Sequence, residues 1–338
     1  MTTLYVVEQG TELGCHGERL EIRRDGQVLQ SIPLVKVEDV LLLGRVQITP
    51  TAMQRMMDRG IEITLLTTHG RYVGRVVGAV APHVGLRRGQ YRRAEDRAWS
   101  LALAQVLVRG KLHNCRVLLQ RFARSRASVP PAVGAAIDAL EPYLERVERT
   151  TQVSALLGVE GSGTACYVGG LRALLAEDWA FAKRTRHPPT DPVNVLLSLG
   201  YTLLVHKVLG AVQAVGFDPY QGFLHQLDYN RPSLALDLME EFRPLLVDSL
   251  VVRVCSEGRV SRADFGVGDA ERPVVLSDAG KRAFVTAFEE RMRTLAQHPD
   301  GADGRPGKVT YLRCLELQAR GLARAVRGEG VYVPMAAR

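Results

Sequence analysis

The sequence has few cysteines, and they lie far apart. Five occur in 338 residues, no two closer than 51 positions, and no Cys-x-x-Cys pair is present. Zinc ribbons and dithiol redox sites need such pairs, so the sequence argues against both. The odd number and the wide spacing predict free thiols in a reducing compartment, and we expect a cytoplasmic protein.

The sequence also lacks the apolar segments of exported and membrane proteins. Its first residues, Met1-Thr-Thr-Leu-Tyr-Val, show no basic stretch followed by an apolar core, so no signal peptide is expected. No uninterrupted run of about 18 apolar residues occurs, which argues against a membrane span. We found no internal repeat and no low-complexity tract.

Acidic residues are scarce in one region of a basic chain. The formal net charge is +8, and residues 81–130 hold eleven Lys and Arg against Glu95 and Asp96. A local excess of this kind indicates an anionic partner such as DNA, with a solvated charged face as the alternative. The candidate DNA-binding residues are Arg87, Arg88, Arg92 and Arg93 in this region, Lys183, Arg184 and Arg186 in a proline-rich turn, and Arg243.

The secondary-structure pattern changes near residue 77. Alternating or β-branched runs predict strands at 3–7, 19–24, 27–33, 39–43, 61–67 and 71–77, with one helix at 51–59. Asp25-Gly26 predicts a tight hairpin. Apolar residues at three- and four-residue steps then predict helices at 94–124, 132–149, 151–179, 191–214, 233–255, 277–296 and 308–328. The expected fold class is α+β, with a β-strand domain over 1–77, a linker over 78–90 and an all-helical domain over 91–338.

Three separated segments offer ligands for a divalent cation. Glu160 lies 65 residues before His225, and an acidic cluster follows at Asp237, Glu240 and Glu241. Two carboxylates and one imidazole can hold such an ion and leave positions open for a phosphate and a nucleophile. Each residue also has an ordinary interpretation: a solvated Glu in a packed helix, a core or surface His, and a solvated acidic helix face whose like charges repel.

Glycines are concentrated around Glu160. Gly158, Gly161, Gly163, Gly169 and Gly170 fall within one segment. Glycine inside a helix costs about 1 kcal/mol relative to Ala, so the cluster predicts either a very close approach of a backbone or a ligand, or a loop. A phosphate-binding loop is not indicated, because no Gly-Lys-Ser/Thr follows and the spacing is not Gly-x-Gly-x-x-Gly.

Several segments together resemble the universal CRISPR-associated integrase family of the spacer-acquisition module. The matching segments are Lys111-x-x-Asn114, Gly158-Val-Glu160-Gly161 with Tyr167, the stretch from Arg184 through Pro188-Pro189 and Asp191-Pro192 to Tyr201, Gly222-Phe-Leu-His225, the stretch from Arg231 to Pro244, Gln318-Ala-Arg320, and Tyr332-x-Pro334. The resemblance spans nearly the whole chain. One departure is Cys115, where the family pattern leads us to expect Gln after Asn114.

The resemblance implies a function and a set of roles. Glu160, His225 and Glu240 would be catalytic and would bind Mg²⁺ or Mn²⁺, with Asp237 as an accessory acid. The implied reaction inserts new spacer DNA into a CRISPR array by attack of a 3′-hydroxyl on a phosphodiester at the repeat boundary. Nuclease activity on branched DNA is also implied.

The resemblance also implies an assembly. The partners would be double-stranded and branched DNA, a second copy of the chain joined through the β-strand domain, and a dimer of a small ferredoxin-like CRISPR-associated protein. No membrane partner is expected. Two alternatives remain open: a repair-type nuclease that uses water as nucleophile at the same site, and a non-enzymatic basic DNA-binding scaffold whose acids are structural.

Overall fold

The first part of the chain forms two four-stranded sheets with one helix. The computed structural model describes residues 2–68, 72–76, 78, 83–186, 188–225, 228–229, 231–301 and 304–337. The N-terminal elements are β1 (Thr2–Val6), β2 (Thr11–His16), β3 (Arg19–Arg24), β4 (Gln27–Pro33), β5 (Val37–Leu43), β6 (Val46–Ile48), α1 (Pro50–Asp58), β7 (Glu62–Leu66) and β8 (Tyr72–Val76). The sheet orders are β1-β5-β7-β8 and β4-β3-β2-β6. The six predicted strands and the helix are present, whereas β2 and β6 were not predicted. Arg71 and Val77, the ends of the last predicted strand, lie outside the described residues.

Strand β5 is buried on both faces. Val40 and Leu42 belong to the core between the two sheets, while Leu41 and Leu43 join the core of the helical part. Successive side chains of a strand point to opposite faces, so a continuous apolar run suits a strand covered on both sides. The sheet that contains β5 therefore lies between the second sheet and the helices.

The second part of the chain is mostly helical. Its helices are α2 (Val84–Glu95), α3 (Arg97–Arg124), α4 (Pro131–Arg149), α5 (Val153–Leu174), α6 (Pro192–Val215), α7 (Ser233–Met239), α8 (Ser249–Ser256), α9 (Asp278–Arg293) and α10 (Tyr311–Arg327). Two short antiparallel hairpins accompany them, formed by β9 (Phe265–Val267) with β10 (Val274–Leu276) and β11 (Leu295–His298) with β12 (Gly307–Thr310). The α+β class is confirmed, but the expectation of an all-helical second part is wrong. Strands of three or four residues carry too little periodicity to stand out among Gly/Asp-rich loops.

Several predicted boundaries differ from the structure, and three of the differences have a visible cause or consequence. Helix α2 begins at Val84, so the second half of the predicted linker 78–90 is helical, and residues 79–82 lie outside the described residues. The predicted helix 94–124 is divided at Asp96, whose carboxylate accepts hydrogen bonds from Ala98 N and Trp99 N and so caps α3. The predicted helix 233–255 is interrupted by a π-helical turn at Arg243–Asp248. Pro244 lies in this turn and has no amide hydrogen to continue the α-helical ladder.

Helix α6 connects the two parts of the molecule. Its Lys207 ammonium contacts Thr3 and lies 3.0 Å from Asp39 Oδ2, both in the β-strand domain, and 3.4 Å from Glu289 Oε1 on α9. By length and composition this 24-residue helix could cross a membrane, which the sequence analysis did not anticipate. However, 61% of its most apolar window is buried within the fold. It is the central helix of the helical core.

Candidate active site

Glu160 lies on α5, which packs closely against its neighbours. A Cβ atom at Gly163 would lie 2.9 Å from Leu112 Cδ2 on α3, so a larger residue would require this leucine side chain to shift. Gly161 has open space at its Cβ position and lines a groove of about 1480 Å³ together with Glu160. The loop explanation is wrong, because all five glycines lie within α5. Close approach occurs at Gly163 and Gly170, where side chains and not a backbone come near, whereas the other three glycines have open space at their Cβ positions.

His225 is held in a fixed orientation by Asp237. The Asp237 carboxylate is fully buried and accepts hydrogen bonds from three backbone amides, Phe223 N at 2.6 Å, Leu224 N at 3.0 Å and His225 N at 2.9 Å. Its Oδ1 also lies 2.7 Å from His225 Nδ1. A carboxylate only accepts hydrogen bonds, so Nδ1 carries a hydrogen, and the tautomer of this ring that can bind a metal has its lone pair at Nε2. A histidine that binds a metal is commonly oriented in this way.

Glu240 is the buried centre of the site. His225 Nε2 lies 3.9 Å from its Oε1, Arg243 Nε lies 3.0 Å from the same oxygen, and Lys111 Nζ lies 2.6 Å from its Oε2. Burial would raise the pKa of Glu240, but Arg243, Lys111 and His225 outweigh burial and lower this pKa to about 2. Glu240 is therefore a carboxylate at neutral pH.

Lys111 joins Glu240 to Glu160. Its ammonium also contacts Glu160 Oε1, which accepts a second hydrogen bond from Thr164 Oγ1 at 2.9 Å. Burial would lower the pKa of Lys111, but the charges of Glu240 and Glu160 outweigh it and raise the pKa. The lysine is therefore charged and lies between the two carboxylates.

The site fits a divalent cation in its chemistry but is arranged around a lysine. Glu240 Oε2 is buried and accepts no hydrogen bond within the described part of the chain, although Lys111 is near it. Two carboxylates and an oriented imidazole are the donors expected for Mg²⁺ or Mn²⁺. As they stand, no three Asp, Glu, His or Cys side chains of the described residues converge on one ligand point. The structure thus brings Glu160, His225 and Glu240 into one cluster whose central cation is Lys111.

The acidic cluster is not a solvated face. Asp237 and Glu241 are fully buried and Glu240 is 3% exposed, and each carboxylate has partners of its own. Glu241 accepts hydrogen bonds from Gln318 Nε2 at 2.7 Å, Tyr332 OH at 2.8 Å and Met335 N at 2.8 Å. Burial outweighs these bonds and raises the pKa of Glu241 to about 7. The prediction of mutual repulsion on an exposed helix face is wrong, because the three side chains point to different partners.

The C-terminal segment holds the back of the site. Asn114 on α3 donates hydrogen bonds to the carbonyl oxygens of Glu241, at 2.8 Å, and Met335, at 2.7 Å. Its own Oδ1 accepts from Ala337 N at 2.8 Å. The helix that carries Lys111 and the segment that carries Glu240 are therefore tied to the same stretch of chain.

The proline-rich turn places cations along the groove beside Glu160. Lys183, Arg184 and Arg186 all line it, and Lys183 and Arg186 are exposed. Arg184 is half-buried and donates to Asn194 Oδ1 at 2.8 Å and Ser198 Oγ at 3.0 Å. Arg243, the remaining candidate, is paired with Glu240 and therefore lies in the carboxylate cluster instead of being free for phosphate.

The basic residues of α2 fall into two classes. Arg88 and Arg92 are exposed. Arg87 and Arg93 are half-buried: Arg87 Nε donates to Gly216 O at 3.2 Å, and the Arg93 guanidinium lies 5.3 Å from the Trp99 ring centre. The first pair is free to meet phosphate, while the second also holds the fold together.

The central role of Lys111 was not predicted from the sequence. There this residue was one of the basic residues of 81–130 and part of a family motif, without a role. The position of Lys111 on α3 could have revealed this role. The buried stripe of α3 includes Leu107, Val108, Cys115 and Leu118, and Lys111 lies on the same stripe. A lysine at such a position must have a buried partner.

Comparison with known proteins gives one consistent result. The family model described as CRISPR associated protein Cas1 matches residues 4–290. The CRISPR-associated endonuclease Cas1 2 of Rhodospirillum rubrum is 38% identical and covers 97% of this chain and 96% of its own length. A casposase bound to integration product shares the fold, with a TM-score of 0.85 at 20% identity over 99% of this chain and 93% of that one. A chain of a Cas6-RT-Cas1–Cas2 complex gives a TM-score of 0.82 at 27% identity over 97% of this chain and 35% of that longer one. The chain therefore belongs to the Cas1 family of CRISPR-associated proteins.

Proposed function

We propose that this protein is a metal-dependent DNA integrase and endonuclease that inserts spacer DNA into a CRISPR array. The observation that carries the proposal is the arrangement around the buried Glu240 carboxylate. One of its oxygens shares the Lys111 ammonium with Glu160, and its other oxygen lies near His225 Nε2. The endonuclease name of its 38%-identical relative supports the same chemistry.

The proposed reaction exchanges one phosphodiester for another. The 3′-hydroxyl oxygen of the incoming strand forms a bond to phosphorus, the bond to the leaving 3′-oxygen breaks, and the proton passes from the attacking to the leaving oxygen. Glu160, His225 and Glu240 would hold a Mg²⁺ or Mn²⁺ ion, which stabilises negative charge on the phosphate and the leaving oxygen. Asp237 fixes His225, and Arg243 keeps Glu240 ionised. Exposed Lys183 and Arg186 bind backbone phosphates along the groove.

The proposed assembly includes DNA and a second protein. A relative of known structure forms part of a complex named for Cas1 and Cas2, which supports a Cas2-type partner for this chain. By the family resemblance we expect that partner to be a small ferredoxin-like dimer, and this chain to act as a homodimer joined through its β-strand domain.

A strand-transfer assay tests the function. The substrate is a labelled DNA strand with a free 3′-hydroxyl and an unlabelled duplex that contains a CRISPR repeat. We expect a longer labelled product with Mg²⁺ or Mn²⁺, none with a chelator, and none from Glu160→Gln or Glu240→Gln. A suitable control is Glu177→Gln, because this exposed acid lines the same groove away from the cluster.

The same assay separates the alternatives. Shortened labelled strands without any longer product would indicate hydrolysis of branched DNA instead of transfer. Strand transfer at the wild-type level by Glu160→Gln in the presence of chelator would contradict the metal assignment. The acids would then be structural, as in the DNA-binding scaffold.

A further inference from the structure

The two carboxylates proposed as metal ligands, Glu160 and Glu240, are already paired with two cationic side chains. Glu160 and Glu240 supply two negative charges, and the side chains in contact with them, Lys111 and Arg243, supply two positive ones. The four groups are largely buried, so each would be costly to leave without its partner.

Lys111 contacts the oxygens that a metal ion would need. Its Nζ touches Glu160 Oε1 and lies 2.6 Å from Glu240 Oε2, an oxygen with no hydrogen bond within the described residues. Mg²⁺ binds carboxylate oxygens at about 2.0–2.1 Å. An ion bound to both oxygens and an ammonium in contact with both would have to share one small volume and would repel each other.

We infer that Lys111 is a built-in competitor of the metal ion: it holds Glu160 and Glu240 together in the metal-free protein and must withdraw before the ion can bind both. The inference rests on the proposed function, because it concerns the same metal site. Lys111 is a positioning residue in this role. Its charge stabilises the empty site and weakens the affinity of that site for metal.

The fold contains a matched control for this idea. Lys207 is also buried and also bridges two carboxylates, with Nζ 3.0 Å from Asp39 Oδ2 and 3.4 Å from Glu289 Oε1. These carboxylates lie at the contact between the two parts of the molecule, away from the candidate active site. Loss of Lys207 removes an equivalent buried charge without touching the proposed metal ligands.

Calorimetric titration of Mn²⁺ into the full-length protein without DNA tests the inference. We expect Lys111→Met to bind Mn²⁺ about tenfold or more tightly than wild type, because one positive charge in contact with both ligands is gone. Lys207→Met should bind Mn²⁺ as wild type does. A purely structural role for Lys111 predicts the opposite, a looser site with weaker metal binding.

Thermal unfolding gives a second readout with the same variants. Metal-free Lys111→Met should melt below wild type, because the two buried carboxylates then lose the cation that lies between them, and Mn²⁺ should raise its melting temperature by more than that of wild type. If Lys111→Met does not fold without metal, Lys111→Gln replaces it, since an amide keeps a hydrogen bond to a carboxylate and carries no charge.

The outcomes distinguish this inference from the proposed function. Wild-type binding of Mn²⁺ with equal or weaker binding by Lys111→Met and Lys111→Gln would overturn the competitor role and leave the metal site standing. Failure of wild type and all variants to bind Mn²⁺ would overturn both. Tighter binding by the neutral variants alone supports the inference.

Discussion

Asp237 does more for the fold than its acidic neighbourhood suggests. Its carboxylate receives three backbone amides and the ring of His225. We expect Asp237→Ala to destabilise the protein by about 2–4 kcal/mol, because four buried donors lose their acceptor. Denaturant unfolding in metal-free buffer measures this cost.

The control for that measurement is Asp228→Ala, since Asp228 is exposed and its side chain accepts only a local bond from Tyr229 N at 2.8 Å among its described contacts. A solvated acidic face whose like charges repel, the ordinary interpretation of this cluster, would instead imply a gain in stability from relief of repulsion with Glu240 and Glu241. A variant as stable as wild type would mean that the loop at 223–225 finds other acceptors.

Residue types and spacing singled out Glu160, His225 and the acidic cluster as candidates, and the family resemblance selected Asp237 and Glu240 within that cluster. The structure gathers these residues in one place. Neither the residue pattern nor the resemblance showed how those residues are paired. Lys111 lies on α3, far from Glu240 in the sequence, and a contact between such distant segments leaves no periodic signal. The pairing with Arg243, three residues after Glu240, is local. Lys111 could be found only by noticing a charged residue on an apolar stripe.

At the scale of elements, the basic residues of α2 allow the DNA-binding hypothesis to be tested with two separate pairs of arginines. Arg88 and Arg92 lie four residues apart on the exposed side of the helix, whereas Arg87 and Arg93 contact other parts of the fold. We expect Arg88→Gln with Arg92→Gln to weaken duplex binding and to lower the salt slope by up to about 0.9 per lost phosphate contact, with little change in stability.

The matched pair Arg87→Gln with Arg93→Gln should instead lower stability and change the salt slope less. Binding isotherms for one DNA duplex over a series of salt concentrations, with thermal unfolding of each variant, compare the two pairs. If Arg88→Gln with Arg92→Gln leaves the salt slope unchanged, this face of α2 is solvated and does not contact phosphate.

Elements with strong local signals were predicted well. The hairpin at Asp25-Gly26 has positive φ at both residues, 50° and 80°, as a tight two-residue turn requires. Strand β2 was missed because Gly14 and the polar residues around it weaken the strand pattern. Strand β6 has only three residues and pairs in parallel with β2, so its existence depends on a distant partner.

At the scale of the whole molecule, a buried histidine at the contact between the two parts of the chain makes the stability of the fold depend on pH. His206 on α6 lies 4.7 Å, between ring centres, from Tyr72 on β8, and neither ring nitrogen has a hydrogen-bond partner within the described residues. Burial, with Arg75 and Lys207 nearby and Asp39 opposing them, lowers its pKa to about 4. The ring is neutral in the folded protein at neutral pH.

The sign of the pH effect follows from the lowered pKa. The contribution of neutral His206 to stability is complete above the unfolded pKa of about 6.5 and is lost as the pH falls toward 4. We expect wild type to lose about 3 kcal/mol more than His206→Phe between pH 7 and pH 4. Parallel denaturation curves at several pH values measure the difference, and identical losses would show that His206 finds a partner on protonation.

The edge of the second sheet gives a prediction about assembly. Strand β4 is at that edge, and Val28 and Leu29 are about half exposed there, at 50% and 51%. Apolar residues on an exposed edge favour association with a second chain. We expect a dimer in light scattering at micromolar concentration and a monomer for Val28→Lys with Leu29→Lys.

The control for the dimer is Val267→Lys, because Val267 is 98% exposed on a hairpin of the helical part. That variant should keep the mass of a dimer. A monomeric wild type would count against the homodimer, and a dimeric double-lysine variant would move the interface away from β4.

Strand β5 has a consequence for how the protein can be taken apart. The change in sequence pattern near residue 77 invites production of the N-terminal segment by itself. Such a fragment would present Leu41 and Leu43 of β5, with Val7 and Leu66 beside them, to water instead of to the helices that cover them in the whole chain. A cut near residue 77, where the sequence pattern changes, would therefore divide a hydrophobic core that the sheet and the helices share. We expect the two parts to unfold in one transition, and neither part to fold when it is produced by itself.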